Sequence, residues 1–415
     1  MIETLLGFPE TLKMVEELVL IREYNKERDA KMVGKLEMSC ENIGSSTDID
    51  NERVSIFGSI MGDPLRRIRL YPVHVMLVAE LHGNGELVGM VRCCIKSMKT
   101  GLEAANVRMG CILGLRVSPI HQRMGIGTKL VKSAEEWLIG KGAEDILIAT
   151  LKNNVASTNL FASKFGYADF ASLVIFVHHK EQIPRLLLDP FPEIKVEKLQ
   201  IEQAISLYNN KLRSGNQKHV MYPVDFDAIL KANLSLGTWI SYFNGRGGTD
   251  TTRLRSTIVF SVWNSCEPNN AINHNRRVNK RFQLTLSRAR DKFLPCLRFP
   301  ISDSPQPPPP GGFLFLYGIY GEGERQQELM RSVWSFVMKL GENMRGCKAI
   351  ITELAVSDPL LEFVPKESCS SCVDDVWYLK KVAEGSAAGG GGEEDQNESL
   401  SGERIGNVFV DPRDF

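Results

Sequence analysis

The stretch 113–128 constrains the fold most, because it joins an apolar strand, a glycine-containing turn and an amphipathic helix. The strand stops at Pro119, whose nitrogen cannot donate to a sheet ladder. Apolar residues of the following helix recur at the 3.6-residue period: Leu130, Val131, Ala134, Trp137 and Leu138. Glycines let backbone N–H groups approach an anion, and a helix start adds unpaired donors and the positive end of its dipole. The stretch therefore predicts a phosphate-binding site at a strand–helix junction.

The segments around this junction predict a mixed α/β sheet. Upstream, the patterns predict a strand over 18–24, a helix from 25 towards 40, a hairpin over 73–81 and 86–95, a turn at 98–104 and a strand over 107–117. Downstream, the apolar run Glu144–Leu151 is typical of a buried strand. A strand–helix–strand crossover of this length implies parallel pairing. A helix after Asn154 and a strand over Leu173–His178 complete the unit.

The turn Gln122-Arg123-Met124-Gly125-Ile126-Gly127 resembles the Gln/Arg-x-x-Gly-x-Gly/Ala signature of the Gcn5-related N-acetyltransferases, the GNAT family. Residues 154–167 resemble the helix of that family that begins with asparagine and ends in Gly-Phe/Tyr. The order of strand, glycine turn, helix and second strand is also similar. The resemblance covers roughly residues 18–180, and the alternative is an ordinary tight turn in another α/β fold.

The resemblance implies that this half uses acetyl-coenzyme A (acetyl-CoA) as a co-substrate. It implies that the turn holds the pyrophosphate, and that the strands on either side of the helix splay apart to admit the pantetheine arm. The residues that it assigns to coenzyme binding are Leu115, Arg116, Val117, Gln122, Arg123, Met124, Gly125, Ile126, Gly127, Thr128 and Asn154.

Acetylation of an amine also needs a group that removes a proton, because an ordinary lysine has a pKa of about 10.4. Many members of the family place a glutamate on the central strand, but Met109–Val117 contains no acid. Glu80 and His121 are the nearest candidates, and an unrelated polar role is the alternative for both. Phe161 stands where the family has a proton-donating tyrosine, which predicts weakened catalysis.

After Pro190 the chain shows the same order of elements again, which predicts a second, diverged copy of the fold. The predicted segments are 196–199, 201–212, 237–243, 256–263, 313–320, 325–340 and 348–354. The turn of this copy carries Glu322 and Glu324. A carboxylate about 4 Å from a phosphate costs about 4 kcal/mol at an effective dielectric constant of 20, against about 0.3–1 kcal/mol from a helix dipole. The second copy is therefore not expected to bind coenzyme A.

The chain of 415 residues is thus predicted to be a tandem. Its segments are a leading helix (1–17), a GNAT domain (18–185), a diverged GNAT-like domain (190–383), a disordered acidic and glycine-rich segment (384–404) and a C-terminal tail (405–415). Ser302–Gly312 resembles a polyproline linker, and a ligand for a proline-binding module is the alternative.

The formal net charge is zero, which argues against a broad nucleic-acid or membrane surface. The basic residues within 276–290 leave nuclear targeting and a solvated face open as interpretations. Nine scattered cysteines are typical of reduced thiols, and Cys369-Ser-Ser-Cys372 lacks the second pair that zinc needs, so no metal is expected. We expect an intracellular protein, in the nucleus or the cytoplasm.

These patterns favour an N-acetyltransferase that acts on a primary amine, either a protein lysine or N-terminus or a small molecule. The alternative is a catalytically weak acetyl-CoA-binding regulator that acts through a protein partner or a second copy. The segment Gly-Asp-Pro-Leu-Arg-Arg-Ile-Arg over 62–69, together with the tandem arrangement, is similar to the plant Hookless-type probable N-acetyltransferases. That resemblance implies a role in the regulation of plant growth.

Overall fold

The computed structural model describes residues 19–41, 65, 68–100, 106–180, 191–213, 220–244, 256–266, 312–366, 369, 371–382 and 407–415. Several predictions lie outside these residues. They are the leading helix, the domain boundaries at 185 and 190, the polyproline linker up to residue 311, the basic stretch 276–290 and the disordered segment 384–404.

The first half alternates strands and helices as the sequence predicts. Its elements are β1 (Val19–Glu23), α1 (Lys26–Glu41), β2 (His74–Leu81), β3 (Leu87–Lys99), β4 (Asn106–Val117), α2 (Ile126–Gly140), β5 (Asp145–Leu151), α3 (Val155–Thr158, continued by a π-helical turn Asn159–Lys164) and β6 (Ala168–His179). Asn25 caps α1, because its Oδ1 accepts from the backbone N–H groups of Glu27 and Arg28 at 3.0 and 3.1 Å. The turn predicted to start at residue 98 was placed too early, since β3 pairs with β4 as far as Lys99.

The second half has every predicted element and several that were not predicted. Its elements are β7 (Ile194–Lys198), α4 (Ile201–Arg213), β8 (Val220–Pro223), α5 (Phe226–Lys231), β9 (Ser235–Phe243), β10 (Thr257–Asn264), β11 (Gly312–Glu322), α6 (Gln326–Asn343), β12 (Cys347–Ala355), β13 (Ser371–Lys381) and β14 (Asn407–Val408). The unpredicted ones are β8, α5 and the short turn Pro359–Phe363, and β13 and β14 were missed as well.

One mixed sheet of fourteen strands runs through both halves. Its central path is β1-β2-β3-β4-β5-β13-β6-β12-β11-β10-β9-β7, which is symmetric about the β13–β6 pair. The matching pairs also have matching directions, with β4–β5 and β11–β12 as the two parallel ones. β13 lies antiparallel between β5 and β6, and β6 lies antiparallel between β13 and β12. Each half therefore inserts its last long strand into the sheet of the other.

Helices cover the two faces of this sheet. The apolar stripe of α2 is buried against the first half, and that of α6, which includes Trp334, is buried against the second. On the opposite face, α1, α4 and α5 share one core with the C-terminal residues 407–415. That C-terminal segment joins the halves, because Asp414 accepts a hydrogen bond from the Tyr71 hydroxyl at 2.7 Å and pairs with Lys96. Among the described helices, none is long and apolar enough to cross a membrane.

Candidate active site

A fork opens where β4 and β5 part. Their parallel pairing runs from Met109–Asp145 to Ile112–Ile148, although both strands continue beyond it. Gly114 has a φ of 59°, and the β3–β4 register shifts between Met90 and Arg92. This bulge turns β4 away from β5, because the left-handed conformation breaks the regular pleat.

The walls of the fork suit an extended ligand. Pairing with β5 stops before residue 113, so the edge of β4 that faces β5 is left without a strand partner in the described chain. Leu115 and Val117 are half-buried there, and Arg116 is exposed. On the other wall Leu151 is 42% exposed. Without a strand partner, this edge can pair with a chain that has amides of its own, although side chains reach two of its carbonyls: Arg116 donates to Leu115 O at 3.0 Å and Cys40 to Val117 O at 3.5 Å.

The predicted turn lies at the mouth of the fork. Arg123 and Gly125 adopt left-handed conformations, with φ of 64° and 85°. Gly125 is the N-cap of α2, which begins at Ile126 and has no acidic residue in its first turn. The first backbone N–H groups of a helix have no intrahelical partner. A Cβ atom on Gly127 would lie 3.7 Å from both Val117 and Leu160, so this glycine faces the space between β4 and α3.

Lys164 adds a positive charge that the sequence analysis missed. Its Nζ donates to the Thr128 hydroxyl at 3.0 Å and therefore lies beside the start of α2. The positive end of the helix dipole repels a cation at a helix N-terminus. The same cation attracts a phosphate bound there. The remaining predicted coenzyme residues, Gln122, Met124 and Asn154, are all exposed. Asn154 caps α3 through Oδ1, which accepts from the backbone N–H of Ser157 at 3.2 Å.

The two predicted proton acceptors occupy different surroundings. Glu80 lies on β2, with β3 and β4 between it and β5, and pairs with Arg22 at 2.5 Å and with Arg28. Two arginines hold this carboxylate on the β1 side of the sheet, so the geometry favours a structural ion pair. His121 ends the short turn Pro119–His121 next to the glycine turn, and its Nδ1 is buried without a hydrogen-bond partner among the described residues. A catalytic role for either residue stays a prediction.

Glu37, which the sequence analysis did not single out, lies at the base of the fork. Glu37 on α1 accepts a hydrogen bond from Arg92 on β3, and both residues are buried. The Arg92 guanidinium fills the space that a side chain on Gly114 would take, with Nη1 only 2.7 Å from the ideal Cβ position. The ion pair therefore lies against the bulge that creates the fork.

The expected lack of a proton-donating tyrosine is visible in α3. Phe161 is buried and meets the ring of Tyr167 edge-on, with ring centroids 5.5 Å apart. Burial, with a further contribution from Glu135, raises the pKa of Tyr167 well above its ordinary value. A phenol with a raised pKa is a poorer proton donor.

The second half repeats the bulge and the left-handed N-cap, but different side chains surround them. Gly318 repeats the φ of 59°, the β10–β11 register shifts between Val259 and Ser261, and the N-cap of α6 is again left-handed. That N-cap is Arg325, whose guanidinium pairs with Glu328 in the first turn of α6 at 2.5 Å. The Tyr208 hydroxyl donates to the carbonyl of Gly318 at 2.8 Å and so fills the bulge.

No group of three or more metal-binding side chains occurs in the part of the chain that the structure describes. The Cys369 and Cys372 sulfur atoms lie 3.1 Å apart, and the eight described cysteines are all reduced. The site is therefore built from backbone groups, a glycine turn and a few charged side chains, which is the construction of a nucleotide-type coenzyme site.

Comparison with known proteins shows that the chain is an acyltransferase. The model of the acetyltransferase (GNAT) family matches residues 50–167. The chain is 34% identical to probable N-acetyltransferase HLS1 of Arabidopsis thaliana and 33% identical to an HLS1-like probable N-acetyltransferase of that species, in each case over 96% of this chain and 99–100% of the relative. It is 31% identical to acetyl transferase GW6a of Oryza sativa over 90% of this chain and 93% of that protein. The chain therefore belongs to the GNAT family of acetyltransferases, in the group of full-length relatives that contains HLS1.

Proposed function

We propose that the first half transfers the acetyl group of acetyl-CoA to a primary amine. The observation that carries this proposal is the coincidence of an unpaired strand edge with a left-handed glycine turn at a helix N-terminus. An ordinary tight turn would not need the strands to part after Ile112. The first backbone N–H groups of α2 would bind the pyrophosphate, and Lys164 would add charge to that site.

The other residues have roles that follow from their positions. The β4 edge over Leu115–Val117 would hold the amides of the pantetheine arm, and a backbone N–H there would polarise the thioester carbonyl. The amide of Asn154 would contact the same arm. Nothing comparable is expected in the second half, because Glu322, Glu324 and Glu328 surround its turn and Tyr208 fills its bulge. We infer that this half is a diverged copy of the first.

A second function is favoured by one specific observation. Phe161 stands where the family has its proton-donating tyrosine, and burial raises the pKa of the neighbouring Tyr167, so neither of these two residues serves as that donor. A chain of this kind could bind acetyl-CoA and act mainly as a regulator through a protein partner or a second copy. Either function fits the role in plant growth that we propose from the resemblance to the Hookless-type proteins, and the intracellular location that we propose from the scattered, reduced cysteines.

Calorimetric titration of acetyl-CoA, with release of coenzyme A thiol followed on a pool of lysine peptides and small amines, tests the proposal. Gly125→Glu should abolish binding, because it places a carboxylate at the left-handed N-cap of α2. Arg325→Glu is the matched control, since it places the same carboxylate at the left-handed N-cap of α6. It should leave binding unchanged.

Tight binding with turnover supports the acetyltransferase. Binding without turnover on any amine contradicts it and favours the regulator. Absence of binding to the wild-type protein contradicts both functions.

A further inference from the structure

The last turns of α1 lie along the β4 arm of the fork. The Cys40 sulfur donates to the carbonyl of Val117 at 3.5 Å, and one turn earlier Glu37 pairs with Arg92 beside Gly114. These contacts place Glu37 on the α1 face of the sheet, next to the point where β4 leaves β5. An amine that approaches a thioester held in the fork from this face would meet Glu37.

In the part of the chain that the structure describes, the equivalent bulge of the second half has no such ion pair. Arg92 is 6% exposed and Glu37 is 9% exposed, so both charges have lost most of their hydration. A buried ion pair of this kind is often no more stabilising than a neutral replacement. The second half shows such a replacement, since the Ser261 hydroxyl follows the equivalent bulge and is 2.9 Å from the Tyr208 hydroxyl. The first half therefore has a buried ion pair at its bulge, whereas the second half has two neutral hydroxyls at the equivalent bulge.

A second carboxylate flanks the other arm of the fork. β13 pairs with β5, and Asp375 lies opposite Leu151 at the end of that strand. Trp377 belongs to the core on the α1 face, and Asp375, two residues earlier, lies on the same face and accepts from the Trp377 indole N–H at 3.1 Å. Acidic side chains therefore flank the two arms, Glu37 beside β4 and Asp375 beside β5, which favours a cationic acceptor over a neutral or acidic one.

We propose that Glu37 accepts the proton of a cationic amine acceptor and that Arg92 is the residue that positions it. The inference rests on the proposed acetyltransferase function. The ammonium would give a proton to the Glu37 carboxylate, and the neutral nitrogen would form the new C–N bond. The C–S bond then breaks, the second nitrogen proton neutralises the coenzyme A thiolate, and the proton on Glu37 returns to solvent.

The test compares two acceptors with Glu37→Gln. Lysine side chains are charged at neutral pH and need deprotonation, whereas hydroxylamine is largely neutral and needs none. The variant should lower kcat on a pool of lysine peptides about 100-fold, the lower limit of a general-base effect. It should leave kcat on hydroxylamine and the acetyl-CoA Kd little changed. Arg92→Lys should show the same acceptor-dependent loss.

Glu135→Gln is the matched control. Glu135 on α2 pairs with Lys380 at 3.0 Å, and its side chain is 12% exposed, against 11% for Glu37. Loss of this second ion pair should lower the stability of the protein, but it should not change the ratio of kcat on lysine peptides to kcat on hydroxylamine. Glu37→Asp, which keeps the carboxylate, should recover part of the activity on lysine.

Equal loss on both acceptors, or no loss on either, overturns the role of Glu37. If the wild-type protein acetylates hydroxylamine and no lysine peptide, the proposal that the acceptor is a cationic amine is wrong. If wild type binds acetyl-CoA and acetylates neither probe, the proposed acetyltransferase function itself fails.

Discussion

Replacement of Gly127 by Asp should separate the stability of the fold from coenzyme binding. A Cβ at this position meets Val117 and Leu160 at 3.7 Å, which is ordinary van der Waals contact, so the side chain fits the unliganded protein. Gly127 is the second residue of α2. A carboxylate in a first helical turn contributes about 0.3–1 kcal/mol through the dipole. Replacement of a helical glycine by aspartate adds only about 0.3 kcal/mol, because aspartate is itself a weak helix former. The free energy of unfolding should therefore stay constant or rise by up to about 1.3 kcal/mol.

The same substitution should oppose a bound pyrophosphate. One carboxylate about 4 Å from one phosphate charge costs about 4 kcal/mol at an effective dielectric constant of 20. Each 1.4 kcal/mol is about a tenfold change in affinity, so the Kd for acetyl-CoA should rise about 1,000-fold. A stabilised protein that has lost its ligand is a combination that general misfolding cannot produce.

The assay pairs denaturant unfolding with calorimetric titration of acetyl-CoA. Gly127→Asn is the control, because it has nearly the same shape without the charge and should lose far less affinity. If Gly127→Asp binds acetyl-CoA within about tenfold of wild type, the phosphates do not lie at this turn. If the Asn and Asp variants lose equal affinity, crowding and not charge is responsible, and the electrostatic reasoning is refuted.

Three further predictions concern single side chains. Phe409→Ala should lower the free energy of unfolding by about 3–5 kcal/mol, because this buried ring packs on Tyr208 with centroids 5.6 Å apart; a change below 1 kcal/mol in denaturant unfolding would show that the C-terminal segment is not part of the core. Burial raises the pKa of Asp358 from 3.8 to about 6, so stability is highest below pH 3.8 for this group and falls by about 3 kcal/mol as the pH rises through 6; Asp358→Asn should flatten that part of the stability–pH curve, and an unchanged curve would contradict the assignment. Lys164→Ala should weaken acetyl-CoA binding about two- to fivefold at low salt and less at high salt, as an exposed charge contact does; a salt-independent loss would argue against a charge contact.

Local patterns predicted most of the first half. Strand periodicity and the cap at Asn25 located β1 and α1 to within a residue or two, and the glycine turn located the start of α2. These features depend on neighbouring residues, which a sequence displays directly. The left-handed backbone at Gly125 is of this kind, because glycine is the residue that adopts it most readily.

The features that the sequence did not predict depend on distant contacts. Glu37 and Arg92 are 55 positions apart, and only the packing of α1 on β3 brings them together. Lys164 reaches Thr128 across 36 positions. β13 was missed because both of its neighbours, β5 and β6, belong to the first half. The sequence around β13 therefore contains no hairpin or crossover pattern that would predict it.

The strand exchange makes the second half part of the framework of the first. β13 pairs with the whole of β5, from Asp145 to Leu151, and β5 is one arm of the fork. Lys380 on β13 also pairs with Glu135 on α2, the helix whose N-terminus forms the glycine turn. The second half therefore holds the position of both the strand and the helix that the first half needs for its site.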